Sequence, residues 1–162
     1  MCIRDRNEYQ SLPSREQRQL ADWLLEQGVT HIIGSHPHVI QPMELRTDSI
    51  TGAQHAVVYS LGNFISNMSK VNTDGGLIFT LELERDTTTS TSTQVRVQRC
   101  EYNLVWTARP NLTKEKNYVL YPTDSTSISK LPEAARNHLN IFVKNSRKLL
   151  QQHNVGIKEN KK

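Results

Sequence analysis

Gly28-Val29-Thr30-His31-Ile32-Ile33-Gly34-Ser35-His36-Pro37-His38 is a short apolar run, rich in β-branched residues, that closes on a glycine and leads into two histidines around a proline. Val29 to Gly34 reads as a buried strand. Just upstream, Ser14 and Gln17 have the spacing of a capping box. Leu20, Trp23 and Leu24 form one apolar stripe, and Gly28 supplies the positive-φ residue that ends many helices. Capped helix, tight turn and apolar strand together make the αβ step of a layered α/β protein.

Further strands follow. His55 to Leu61 runs into Gly62-Asn63-Phe64. Gly75-Gly76 opens Leu77 to Leu83, where Leu77, Phe79, Leu81 and Leu83 share one face at a strict period of two. The Ser/Thr run Thr87 to Thr93 has nothing to bury and reads as a long hairpin connection to Gln94–Tyr102, which is expected to pair antiparallel with the strand before it. More strand is expected near Val105-Trp106 and Tyr118-Val119-Leu120. Residues 123–131 read as a polar linker, 132–153 as an amphipathic helix with Pro132 in its first turn, and 154–162 as a disordered basic tail.

The 162 residues suit one domain, yet the hydrophobic fraction of 36% is low. Either part of the chain is exposed or a packing partner is missing. Residues 144–162 carry six basic residues against Glu159 alone, a local +5 within a total of +4. The positive charge therefore belongs to one end of the chain, with no aromatic residues among its lysines, and specific nucleic-acid binding is not expected. Cys2 and Cys100 form neither a disulfide framework nor a zinc knuckle.

His36 and His38 carry the strongest chemical signal. Two histidines two apart on an extended segment point to the same side, so both imidazoles can face one ion. Pro37 stiffens the spacing, and Gly34 lets the backbone turn at the strand end. Zinc, manganese and iron all accept imidazole. The plainer alternative is polar loop sequence. Tyr59, Ser60 and Asn63 follow a strand and read either as a substrate rim, with Ser35, or as a tight turn with no ligand. Glu8 reads as a carboxylate orienting a histidine or as an ordinary surface residue; His31 reads as a hydrogen-bonded core residue.

Glu8-Tyr9-Gln10, the capped helix, GSHPHVIQPME from Gly34, and Tyr59-Ser60-Leu61-Gly62-Asn63-Phe64 resemble, in order and spacing, the closing half of the CapA family. That family is named for capsule and poly-gamma-glutamate synthesis and lies in the calcineurin-like metallophosphoesterase superfamily. The resemblance is strong over residues 7–85, weak to 122, and absent from the C-terminal helix and tail. It implies that the chain forms the C-terminal half of a four-layer αββα sandwich with two divalent metals (manganese, iron or zinc). It also implies that His36 and His38 are metal-facing and catalytic. Residues 7–122 would be that domain part. Residues 1–6, where Arg4-Asp5-Arg6 replaces the family's His-Trp-Gly, would be a non-native start.

The superfamily's other ligands have no counterpart here, so the resemblance implies an incomplete centre whose remaining ligands and strands come from a missing N-terminal half. This chain alone is expected to be inactive and to leave sheet edges open. The implied partners are an anionic polymer or phosphoester-type substrate and components of a polymer synthase, at the cell envelope or outside the cytoplasm. Three functions follow as expectations: a metal-dependent phosphoesterase tied to an anionic surface polymer, a non-catalytic scaffold binding the polymer or its synthase, and a basic tether to polyanions or membranes.

Overall fold

Ser14 accepts a hydrogen bond from the Gln17 backbone while the Gln17 side chain accepts one from Ser14 N–H, so the anticipated capping box starts helix α1 (Arg15–Glu26). Gly28, at φ +89°, ends it. The computed structural model describes residues 8–85, 95–124 and 126–160. The expected non-native start at 1–6 and the Ser/Thr run at 87–93 lie outside the described residues.

After α1 the chain forms β1 (Ile32–Ile33), β2 (Met43–Thr47) and β3 (Gln54–Val58), a three-stranded sheet ordered β1-β3-β2. β1 runs parallel to β3 and β2 antiparallel to it. β1 is shorter than the sequence suggests. Beyond it Gly34 still donates to the Val58 carbonyl at 2.8 Å and accepts from Leu61 N–H at 3.0 Å, and a Cβ there would collide with the Tyr59 carbonyl; close approach, rather than a sharp turn, requires the glycine. β2 is not legible in the sequence. Its Glu44 and Arg46 pair with each other at 2.7 Å, and Arg46 also reaches Asp22 of α1, so charged side chains sit half-buried in a strand.

β4 (Gly75–Arg85) and β5 (Val95–Ala108) pair antiparallel, as expected, and β6 (Val119–Pro122) extends the second sheet. Between β5 and β6 lies one helical turn, α2 (Pro110–Thr113). The linker at 123–131 contains a 3-10 turn over Thr126–Lys130 and ends on buried Leu131. Helix α3 (Glu133–His153) follows, with Pro132 at its N-cap. Among the described residues no helix is long and apolar enough to cross a membrane.

Alternation along β3 sorts the two cores. Val57 and Tyr59 pack with Ala21 and Leu24 of α1, while Val58 looks into the main core. There Val58 and Met43 meet Leu77, Leu104 and Trp106 of the second sheet and Leu139, Phe142 and Leu150 of α3. The result is the expected α/β architecture of two sheets and helices. A short bridge between Gly62 and Gly76 joins the sheets, and Ile40 pairs with Leu61 at the end of the first.

The tail departs from expectation. Residues 154–160 are ordered against both sheets: Val155 bridges to Glu44, Ile157 is buried, and β7 (Lys158–Glu159) pairs with Glu101 and Tyr102 of β5. Glu159 takes both carboxylate oxygens to Arg147, which offsets part of the basic charge at this end. A row of polar residues hid this strand because its partners are distant in sequence.

Candidate functional site

The segment after β1 turns instead of running straight. Residues 36–39 form a bend, and His38 sits in the left-handed region at φ +62°. Strand alternation therefore does not aim the two imidazoles. The turn brings them together instead, with ring centroids 6.0 Å apart and planes tilted by 49°. Buried Pro37 anchors the bend, and its carbonyl accepts a hydrogen bond from Tyr9 N–H at 2.9 Å.

Asn63 fixes the second ring. Its Oδ1 lies 3.0 Å from His38 Nδ1, and its Nδ2 donates to the Thr73 carbonyl at 2.9 Å. Since the amide nitrogen is committed to a carbonyl, the oxygen faces the imidazole and must receive a proton. A neutral His38 in this contact carries its hydrogen on Nδ1 and leaves a lone pair on Nε2. This is the tautomer in which an imidazole can bind a cation or accept a proton. Asn63 is itself held by its backbone, whose N–H donates to Gly75 O at 3.1 Å.

An aromatic stack backs the pair. Tyr9 lies against His38 with centroids 6.1 Å apart and planes 29° apart, and the Lys70 ammonium sits 3.7 Å from the Tyr9 ring centroid. A cation over a phenol ring is attracted by the π face. Glu8 is exposed and engages the Tyr9 hydroxyl, raising the pKa of that phenol; its role is directed to Tyr9 and not to a histidine.

The proposed rim divides. Ser35 is exposed and donates to the Gly62 carbonyl at 3.2 Å, one residue from Asn63, so both stay beside the histidines. Tyr59 does not. Its ring is buried under α1, its hydroxyl accepts from Arg46 at 2.9 Å, Arg18 lies over its ring, and burial raises its pKa. Ser60 is fully buried, with its hydroxyl accepting from Gly62 N–H. Neighbouring residues on a strand face opposite ways, so Tyr59 and Ser60 could not share a rim. His31 behaves as the sequence suggests: half-buried, it accepts from Ala56 N–H at 3.1 Å, and burial lowers its pKa. Tyr9 and Lys70 were missed as site residues; the only sequence signal was the position of Tyr9 in the Glu8-Tyr9-Gln10 motif.

Among the described residues no three His, Cys, Asp or Glu side chains converge to hold a metal. Zinc centres take at least three protein ligands, so the two imidazoles fit part of a metal centre only. What they offer is suitable: two close nitrogen donors, one with its lone pair already directed by an outer partner.

Residues 2–68 match the family model described as "Bacterial capsule synthesis protein PGA_cap". The chain is 32% identical over 81 residues to the "PGA biosynthesis protein CapA" of Bacillus subtilis (strain 168), a match covering 50% of this chain and 20% of that protein. It is 35% identical over 72 residues to the "Capsule biosynthesis protein CapA" of Bacillus anthracis, covering 44% of this chain and 16% of that one. The chain thus spans about a fifth or less of the length of these curated relatives. No solved structure matches.

Proposed function

We propose, taking residues 2–68 as a CapA-family segment, that this chain serves in the synthesis or processing of a capsule or poly-gamma-glutamate polymer at the cell envelope. In this reading it contributes one wall of a metallophosphoesterase-like centre. His36 and His38 are the metal-facing side chains, and Asn63 is the residue that positions His38. The observation that carries the proposal is the Asn63 Oδ1 to His38 Nδ1 contact at 3.0 Å, which leaves Nε2 as an oriented donor beside a second imidazole. Divalent ions of the manganese, iron or zinc class would supply Lewis-acid polarisation of a phosphoryl-type oxygen. The ligands still needed would come from polypeptide beyond this chain.

Within the site, each residue of the chain has a distinct part. The Ser35 hydroxyl and the Asn63 turn border the histidines and form the substrate-facing rim. Lys70, stacked through Tyr9 onto His38, adds positive charge that suits an anionic substrate.

A second reading, a non-catalytic accessory subunit that binds the polymer or its synthase, draws support from the names of the two relatives, which refer to biosynthesis and not to hydrolysis. The test is manganese-dependent hydrolysis of bis(p-nitrophenyl) phosphate by the full-length protein carrying this segment. Hydrolysis abolished by His36→Ala supports the enzyme. Polymer binding without turnover, indifferent to that change, supports the accessory subunit and overturns the enzyme.

A further inference from the structure

A cleft of about 370 Å³, lined in part by Tyr9, opens between α3 and the turn that carries Asn72. That volume is within the usual range for small-ligand sites. One wall is a single face of α3, where Asn145, Lys148, Leu149 and Gln152 recur at helical spacing. The opposite wall is pinned to the helix by a hydrogen bond from Asn145 Nδ2 to Asn72 Oδ1 at 2.9 Å, with Asn72 held at φ +67°. Val39 and Leu12 contribute an apolar floor.

The chemistry of the lining is one-sided. No described Asp or Glu contributes to it, while Lys148 and His153 do, and Lys70 sits on the adjoining face of Tyr9. Asn72 and Asn145 are bonded to each other, and Gln152 offers a paired donor and acceptor of the kind an amide group matches. The ligand that answers all three features carries carboxylates, amides and short methylene stretches together. A γ-linked glutamate chain presents all of these in every repeat. A sugar polymer lacks the methylenes, and a nucleic acid would need more stacking rings than Tyr9 alone provides.

We propose that the cleft between α3 and the Asn72 turn is a binding subsite for an acidic, amide-linked chain, seated by Lys148 and Gln152. Tyr9 lines this subsite and also stacks on His38. The nature of the ligand rests on the polymer reading above; the location rests on the cleft. α3 lies outside the segment that matches the family model, so the subsite is assembled partly from sequence the match does not reach.

The experiment is fluorescence anisotropy with a labelled short γ-linked glutamate oligomer and this chain, with circular dichroism confirming that each variant folds. Lys148 is exposed and makes no ion pair among the described residues, so Lys148→Ala should fold normally. Losing one charge-assisted hydrogen bond should weaken binding about tenfold, and Gln152→Ala should weaken it further. Lys116→Ala, which removes an exposed lysine that does not line the cleft, should leave binding nearly unchanged, and a neutral γ-linked glutamine oligomer should not bind. The subsite is overturned by absence of binding, by equal binding of the neutral oligomer, by tighter binding of a polyuronate, or by indifference to Lys148→Ala. Binding that responds to His38→Ala and not to Lys148→Ala would overturn the subsite and leave the histidine reading standing. Loss of the metal-dependent reading with Lys148-sensitive binding intact would do the reverse.

Discussion

The indole N–H of Trp106 donates to Oδ2 of Asp74 at 3.0 Å, in a region closed to solvent. The Asp74 backbone carbonyl accepts a second bond, from Thr107 N–H at 2.8 Å, so one aspartate ties the start of β4 to β5 twice. His138 of α3 approaches the same carboxylate oxygen at 3.9 Å. Trp106→Phe keeps the aromatic volume near constant and removes the donor, leaving a buried carboxylate oxygen underserved. The expected cost is about 1–3 kcal/mol, read as a lower urea midpoint by circular dichroism. An unchanged midpoint would show that the pair contributes nothing.

Gln17 works in two places at once. It closes the capping box with Ser14, and its Nε2 donates to Oε1 of the fully buried Gln41 at 2.9 Å. Gln41 in turn donates to the carbonyls of Gln10 and Leu12, fastening the segment before α1. Ser14→Ala should cost about 1 kcal/mol. Gln41→Leu should cost about 1–3 kcal/mol, through the carbonyls it strands. Because both changes act on Gln17, the double variant should depart from additivity by at least about 0.5 kcal/mol in a double-mutant cycle. Strict additivity would mean that cap and relay are independent.

Gly76 is where the second sheet touches the site. A Cβ on it would lie 2.6 Å from the Asn63 carbonyl oxygen and 2.7 Å from that of Leu61. Gly76→Ala should push the Asn63 turn away and release His38 from its single tautomer. Nitrogen-15 chemical shifts of the imidazole check this: one protonated Nδ1 in the native protein, a mixture in the variant. An unaltered spectrum would refute the positioning role given to Asn63.

Alkaline pH should destabilise the fold in a defined window. Burial pushes the Cys100 thiol from 9.0 up to about 11. Burial, with help from Glu159, pushes the Tyr102 phenol from 10.0 up to about 12. Both groups lose their protons sooner in the unfolded chain, so their neutral forms favour the native state fully below pH 9 and progressively less as pH climbs to about 12. The melting temperature should fall across that range, and Cys100→Ala should flatten its lower part. A melting temperature flat through the whole window would contradict the burial of these two side chains.

Local chemistry was legible in the sequence and distant partnership was not. The α1 cap could be read from Ser14 and Gln17, three residues apart, and β4 from the alternation of Leu77 and Phe79. The nearness of His36 and His38 was also foreseen, although on the wrong ground: a left-handed turn at His38 produces it, not an extended strand. β2 escaped notice because Glu44 and Arg46 look like surface residues until α1 supplies Asp22 and Arg18 as partners. Lys148, Asn145 and Gln152 read as the solvent face of a helix because nothing in their spacing shows Tyr9 and Asn72 across the cleft.

Asn154 accepts from Met43 N–H across 111 residues of sequence, and Val155 binds Leu45 N–H beside it. The outer margin of β2 therefore waits for residues 111 positions further along the chain to be translated. Until they arrive, a nascent chain displays an unsatisfied strand edge to chaperones, proteases and neighbouring chains.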